Sequence, residues 1–236
     1  MLDQLKQVDN RRLYQQIADQ IRSLIQNGNY VAGARLPPER DLAQQLGVSR
    51  PSIREALIAL EVEGSVEVRM GAGVYVSHAP ERSSHETAAM GESPIELMQA
   101  RSAVEGSVVM LACARVSPEA LASLRRSLDE MQLAIAQGRP PLGYDRQFHL
   151  LIASITGNSV LERLVGELFD ERHSPISSQL SVRSESSQTW AEALKEHEAI
   201  LKALESRDVL DAQNAMRSHL KASQERWVES SRREWS

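Results

Sequence analysis

The sequence predicts a mainly α protein in two parts, an N-terminal winged helix-turn-helix followed by a C-terminal all-helical bundle. Three observations predict it. Between Arg35 and Ser77 two short amphipathic helical patterns lead into an alternating pattern around a glycine-rich tip. From Pro94 onward the apolar spacing is helical, with no alternation. Aromatic residues make up 4% of the chain against 42% apolar residues, which suits aliphatic helix packing better than a base-stacking platform.

The 236 residues suit one large domain or two modest ones. The expected boundaries are a winged helix-turn-helix over residues 1–77, a linker over 78–93 and a helical domain over 94–236. The formal charge of -5 argues at first sight against a nucleic-acid partner. Its distribution decides otherwise: residues 1–80 hold nine Lys/Arg and nine Asp/Glu, so the excess acid lies beyond them. A neutral domain with a local basic surface binds phosphates in a salt-dependent way and relies on dimerisation. The single cysteine, Cys113, sits in an apolar helical run and reads as a small buried side chain rather than a reactive thiol. No signal peptide and no apolar run near the roughly 20 residues of a membrane span is visible, so a soluble cytoplasmic protein is expected.

Residues 1–11 are polar and read as frayed, with Arg11 and Arg12 within possible reach of a phosphate backbone. Leu13, Ile17, Ile21, Leu24 and Ile25 recur at helical spacing until Asn27-Gly28, which makes a scaffold helix. A loop follows. Pro37-Pro38 then opens a short helix with Leu42 and Leu46 on its buried side, and Gly47 stops it. Ser49 is a ready N-cap for the next helix. Ile53, Leu57 and Leu60 share one face of that helix, while Arg50, Ser52 and Arg54 lie on its leading turn or opposite side. Basic and hydroxyl groups at the start of a helix are what major-groove readout needs. Val66 and Val68, then Val74 and Val76, flank Arg69-Met70-Gly71-Ala72-Gly73 as the strands and tip of a wing, where Arg69 is either a phosphate contact or ordinary surface.

His78 to Gly91 is polar and lacks periodicity, and its His85 reads as exposed. Ser93-Pro94 is an N-cap signal. Helices are then expected over residues 94–114 and 118–136, and at roughly 144–156, 159–173, 189–205 and 208–230, with Gly138 to Gly143 as a break. Such bundles build ligand and metal sites from inward side chains on facing helices. Asp145 and His149 are one turn apart and share a helix face, and His197 and His219 stand on two later helices. One carboxylate and three imidazoles suit zinc first, with nickel, manganese and iron as alternatives. The competing reading makes His197, between Glu196 and Glu198, and His219, near Arg217, surface groups of amphipathic helices. Spacing alone favours that second reading.

The run YQQIADQIRSLIQNGNYVAGARLPPERDLAQQLGVSRPSIREALIALEVEGSVEVRMGAGVYV resembles the DNA-binding domain of the GntR family of bacterial transcription regulators, almost unbroken over about 65 residues. The resemblance implies a homodimer on a palindromic operator, with DNA contacts from Arg40, Ser49, Arg50, Ser52, Arg54 and Gly71. Outside that resemblance, Arg40 reads as a partner of Glu39 or Asp41, and Arg54 as a partner of Glu55 or Asp41. Pro51 departs from the family pattern, where relatives often carry a threonine hydroxyl. The segments ELMQARSAVEG, YDRQFHLLIASITGNS, KEHEAILKALESRD and AMRSHLKAS are similar to the effector domain of the FadR branch in its metal-binding version. That resemblance implies Asp145, His149, His197 and His219 as ligands of a divalent transition metal, and it reverses the preference left by spacing.

It also implies that Arg101 faces a small carboxylate effector, the intrahelical alternative being a pair with Glu105. Arg172 is a further effector candidate, and His173 falls outside the ligand pattern although it could line the pocket. The likeness is strongest to hexuronate-utilisation regulators. It implies a repressor that a sugar acid releases, rather than an enzyme. Two other readings stay open. In one the ion itself is the signal; in the other a metal-dependent enzyme acts on a sugar acid, for which no separate acid or nucleophile is in view.

Overall fold

The computed structural model describes residues 12–69, 71–78 and 90–234. Arg11, Met70 and most of the expected linker, including His85, lie outside them. The chain divides between Ser93 and Pro94 into two compact units.

In the first unit, α1 (Leu13–Gln26), α2 (Glu39–Leu46) and α3 (Arg50–Val62) precede two strands, β1 (Val66–Arg69) and β2 (Gly73–Val76). Ile17 and Ile21 of α1 meet Leu42, Ile53, Leu57 and Leu60 in one core, which Val66, Val74 and Val76 close from the sheet. The strands pair antiparallel with Val66 opposite Val76 and Val68 opposite Val74, so the alternating valines share a face. The loop before α2 contributes more than a connection: the Leu36 amide donates to the Val74 carbonyl and the Gly33 amide to that of Val76. Gly73 has φ 105°, a backbone angle that side-chain-bearing residues rarely adopt, so glycine is required there, and the Arg35 guanidinium packs into the space a Cβ would take. The described end of the expected linker packs on this unit. Met90 is buried, the Tyr14 hydroxyl donates to the Gly91 carbonyl, Arg12 pairs with Glu92, and the Ser93 hydroxyl donates to Glu55.

The second unit holds α4 (Pro94–Cys113), α5 (Pro118–Ala136), α6 (Leu142–Ile155), α7 (Ser159–Asp170), α8 (Pro175–Ser184), α9 (Ser187–Ser206) and α10 (Val209–Glu234). Helix α5 packs on α6 and α9, and α4 on α6 and α7. Their core joins Val108, Leu128, Phe148, Ile152, Val165, Ile200, Leu204 and Met216. Helix α8 is absent from the sequence pattern. It starts with Pro175 at its first turn and buries Ile176 and Leu180, but serines occupy four of its ten positions and leave little apolar periodicity to read. The remaining elements begin and end within a few residues of expectation, and the α7 pattern finishes in a 3-10 turn over Glu171–His173.

Candidate functional site

Asp145 and His149 occupy successive turns of α6, with His197 on α9 and His219 on α10. One ligand atom from each gives four atoms that all lie within 4.8 Å of one another. The three histidines are buried, which removes the surface reading of His197 and His219. Each ring is oriented by an acceptor at Nδ1: the Glu105 carboxylate for His149, the Ala193 carbonyl at 2.7 Å for His197, and Glu196 Oε2 at 2.8 Å for His219. A carboxylate or carbonyl has no hydrogen to give, so Nδ1 carries the proton and each Nε2 lone pair is left for the centre. Asp145 Oδ1 lies 3.0 Å from His197 Nε2 and 3.4 Å from His149 Nε2, and has no hydrogen-bond partner. The two Nε2 atoms of His149 and His197 are 3.3 Å apart.

Lone pairs converging at this range repel unless positive charge lies among them. Separations of about 3.0–3.4 Å are those of adjacent ligands on an ion with bonds of about 2.0–2.2 Å. The donor set therefore fits a divalent transition metal, and the orphaned carboxylate oxygen fits a coordination bond. Burial opposes charge on His149, but Glu105 and Asp145 outweigh it and raise its pKa, so an ion competes with a proton for its Nε2. Burial and the neighbouring His197 push His219 down to about 3, which keeps its ring neutral and its lone pair available.

An outer layer holds these ligands. Glu105 accepts from His149 and, through its other oxygen, from Arg101 Nε at 2.7 Å. Glu196 is gripped by Arg226 at 2.6 and 3.0 Å while it orients His219. Burial alone would raise the pKa of Glu105, but Arg101 and His149 hold it down to about 2; Glu196 is held at about 2 by His219 and Arg226 against the same penalty. Loss of such outer partners costs about 10–100-fold in metal affinity. Glu105→Gln is accordingly expected to weaken zinc binding by about that factor in a competition titration with a chelating dye.

The same shifts set an acid limit. Asp145, Glu105 and Glu196 all have folded pKa values below their ordinary ones, so their contribution to stability is complete above about 4.5 and is lost as the pH falls toward 2. His149 and His219 shift in opposite directions and oppose one another nearer neutrality. Urea unfolding of chelator-treated protein should therefore show its midpoint dropping below pH 4.5, and an unchanged midpoint down to pH 3 would count against this assignment.

Arg101 is 1% exposed. Its Nη2 has no hydrogen-bond partner, and its guanidinium lies 4.7 Å from the Phe169 ring centre. The pair with Glu105 and the unsatisfied Nη2 are thus both present. Arg172 bridges Asp145 Oδ2 at 3.3 Å and Glu185 Oε1 at 3.2 Å, over the rings of Phe169 and Trp227. His173 is exposed and stands apart from the four ligand residues.

In the first unit Ser49 caps α3, its Oγ accepting from the Ser52 amide at 3.2 Å and sharing a hydrogen bond with the Ser52 hydroxyl at 2.8 Å. Arg50 opens the helix with its side chain 51% exposed, 3.8 Å from Glu39. Arg40 is exposed and pairs with Asp41 at 3.1 Å, and Gly71 sits at the exposed tip of the wing with φ 67°. Arg69 pairs with Glu67 and lies over Tyr75.

Arg54 differs from the expectation of an exposed reading residue. It is 4% exposed and gives two parallel hydrogen bonds to Glu39, at 2.8 and 2.7 Å. Glu39, on α2, is the carboxylate it grips, and the pair ties α2 to α3. Glu39→Gln keeps the shape but leaves a buried guanidinium with a neutral acceptor; the expected loss of stability is about 1–2 kcal/mol by urea unfolding.

The family model described as "Bacterial regulatory proteins, gntR family" matches residues 13–76, and the "FCD domain" model matches residues 96–222. The chain belongs to the GntR family. The Uxu operon transcriptional regulator of Escherichia coli K12 is 37% identical over 226 residues, covering 93% of this chain and 88% of that protein. The Exu regulon transcriptional regulator of the same organism is 36% identical over 222 residues, covering 89% and 82%. Among solved structures, E. coli McbR/YncC matches with a TM-score of 0.51 at 22% identity, covering 93% of this chain and 98% of that one, which is a likeness of fold.

This GntR protein is therefore a DNA-binding transcription regulator with an FCD domain. Among the described residues no helix is long and apolar enough to cross a membrane. Sequence reasoning missed Glu196 and Arg226 as the support of His219, and took Glu105 only as a partner of Arg101. The signal for Glu196 was present: one residue before His197, it is turned about 100° around α9, toward a different neighbour.

Proposed function

We propose that this regulator is a cytoplasmic repressor, active as a homodimer on a palindromic operator, and released when a small carboxylate binds at the metal centre. The leading effector is a hexuronate or one of its breakdown products. The relatives that regulate the Uxu operon and the Exu regulon support this class of ligand.

The observation that carries the reading is the unsatisfied Nη2 of Arg101, fully buried and tied through Glu105 to metal ligand His149. A buried donor without a partner is uncommon, and a carboxylate is the acceptor that a guanidinium edge suits best. An ion held by Asp145, His149, His197 and His219, zinc first, supplies a Lewis-acidic attachment for the other end of that carboxylate. Arg172 supplies a second guanidinium already loosely held by two carboxylates. In this reading Arg40, Ser49, Arg50, Ser52 and Gly71 contact the operator, and Arg54, paired with Glu39, holds α3 in place for them. The effector shifts the operator equilibrium only by the difference in its affinity for the two states.

The test is fluorescence melting of the zinc-loaded protein against a panel of sugar acids, with and without chelator. A ligand at about 100 times its Kd adds about 2.7 kcal/mol of stability, and that gain should vanish with the ion. A gain that survives chelation removes the bridging role of the metal. Operator release that follows zinc concentration with no acid present replaces this reading with that of a metal sensor.

A further inference from the structure

Two cavities lie side by side in the helical unit. The smaller, about 50 Å³, reaches Asp145, His197 and His219; the larger, about 390 Å³, reaches Phe169, Ser178, Ser181 and Val182. Leu142, Arg172, Glu185 and Trp190 line both, so they form the partition. The partition is held by Arg172, which reaches from Asp145 to Glu185, and by the Trp190 indole, which donates to Glu185 Oε2 at 3.4 Å. All of these bonds run from 3.2 to 3.4 Å, near the long limit for hydrogen bonds, so the bridge is open to competition from another anion.

Size separates the roles of the two spaces. A water takes up about 30 Å³ in the liquid, so the smaller cavity has room for an ion and a carboxylate head but not for a six-carbon acid. The larger lies within the range of about 300–1,000 Å³ usual for ligand pockets. Its wall is written into α8. Ser178, Ser181 and Val182 fall at i, i+3 and i+4, one helical face, with Glu185 just past the helix end, while Ile176 and Leu180 are buried on the other. That face presents two hydroxyls and a carboxylate, with the Trp190 ring close by, which is the chemistry that recognises a chain of vicinal hydroxyls with an apolar C–H side.

The geometry points to a two-compartment effector site, an inference that rests on the sugar-acid reading above. The carboxylate head enters through the metal-lined cavity, whose lining holds Arg172 and not Arg101, so it reaches Arg101 only past the ligand side chains. A hydroxylated tail of about four further carbons crosses the partition into the larger chamber, displacing Arg172 from Glu185. Ser178 and Ser181 are then specificity-determining residues that select long polyhydroxy acids over short ones.

Calorimetric titration of the zinc-loaded protein with glycolate and with the tightest binder among D-glucuronate, D-galacturonate and D-gluconate tests this. The wild type should prefer the six-carbon acid by at least about tenfold. Ser181→Phe, which projects a ring into the larger chamber, should erase that preference and leave glycolate and zinc affinity unchanged. Ser178→Leu, one turn earlier and smaller, should reduce it in the same direction, which guards against a folding defect in the first variant. A preference intact in both variants, or glycolate lost along with the longer acid while zinc still binds, overturns the two-compartment site alone. If the wild type binds zinc but no acid of either length, the sugar-acid reading fails as well.

Discussion

Replacing His149 by alanine is expected to lower zinc affinity by more than about 100-fold, because loss of an outer partner alone already costs about 10–100-fold. The side chain contributes twice. Its Nε2 faces Asp145 and His197, and its Nδ1 proton holds the Glu105 carboxylate on the opposite side from Arg101. Without the ring, Glu105 keeps only Arg101 as a charged partner in a fully buried setting, so the orientation of the guanidinium is altered together with the ion. The variant should therefore lose both the zinc-dependent rise in melting temperature and any further rise on adding sugar acid. His173→Ala is the control: that ring is exposed and outside the ligand set, so zinc affinity should be unchanged. Equal losses in the two variants would place the ion elsewhere.

For the operator, Arg50→Ala is the substitution with the largest expected effect. The residue opens α3, is half exposed and lies at the positive end of the helix dipole, where phosphates and base edges are both favoured. An arginine contact with guanine contributes about 1–3 kcal/mol of discrimination. The proposed homodimer would use it twice, so operator affinity should fall by about 2–6 kcal/mol, with specificity relaxed at one base of each half-site. Arg40→Ala, if Arg40 neutralises a phosphate, should instead weaken all duplexes alike and reduce the salt slope by about one for each phosphate no longer neutralised. Fluorescence anisotropy on specific and scrambled duplexes over a range of salt separates the two. A uniform loss for Arg50→Ala would make it a phosphate contact rather than a reader.

The fold was legible wherever burial imposed a period. Ile17, Ile21, Leu57 and Leu60 repeat at helical spacing because one face of each helix closes a core, and Val66, Val68, Val74 and Val76 alternate because one face of the hairpin does. Helix α8 escaped because Ile176 and Leu180 are its main apolar contribution and serines fill much of the rest.

For the site, residue types were legible but partners were not. Asp145 and His149 pair by local helix geometry, which any sequence displays, whereas His197 and His219 join them only through packing of α6, α9 and α10. Flanking glutamates made His197, and nearby Arg217 made His219, look like surface residues. In the fold Glu196 is what orients His219, so the feature that argued against the site is part of it. Arg54 shows the opposite: its charge and position suggested a reader of DNA, and the fold adds a buried pair with Glu39 where the sequence offered Glu55 or Asp41. Long-range pairing of charged groups leaves no period in a single chain.

Whether the Asp145, His149, His197 and His219 centre couples an acid to the operator can be measured directly. An operator duplex, selected by the protein from random sequence, is followed by fluorescence anisotropy during titration with D-glucuronate and D-galacturonate in the presence of zinc or of chelator. At least one acid should weaken operator binding by about 5–150-fold, the usual span of such coupling, with zinc present and have no effect with chelator. Operator affinity that stays constant under both acids with zinc bound, or that falls equally with the ion removed, would contradict the coupling.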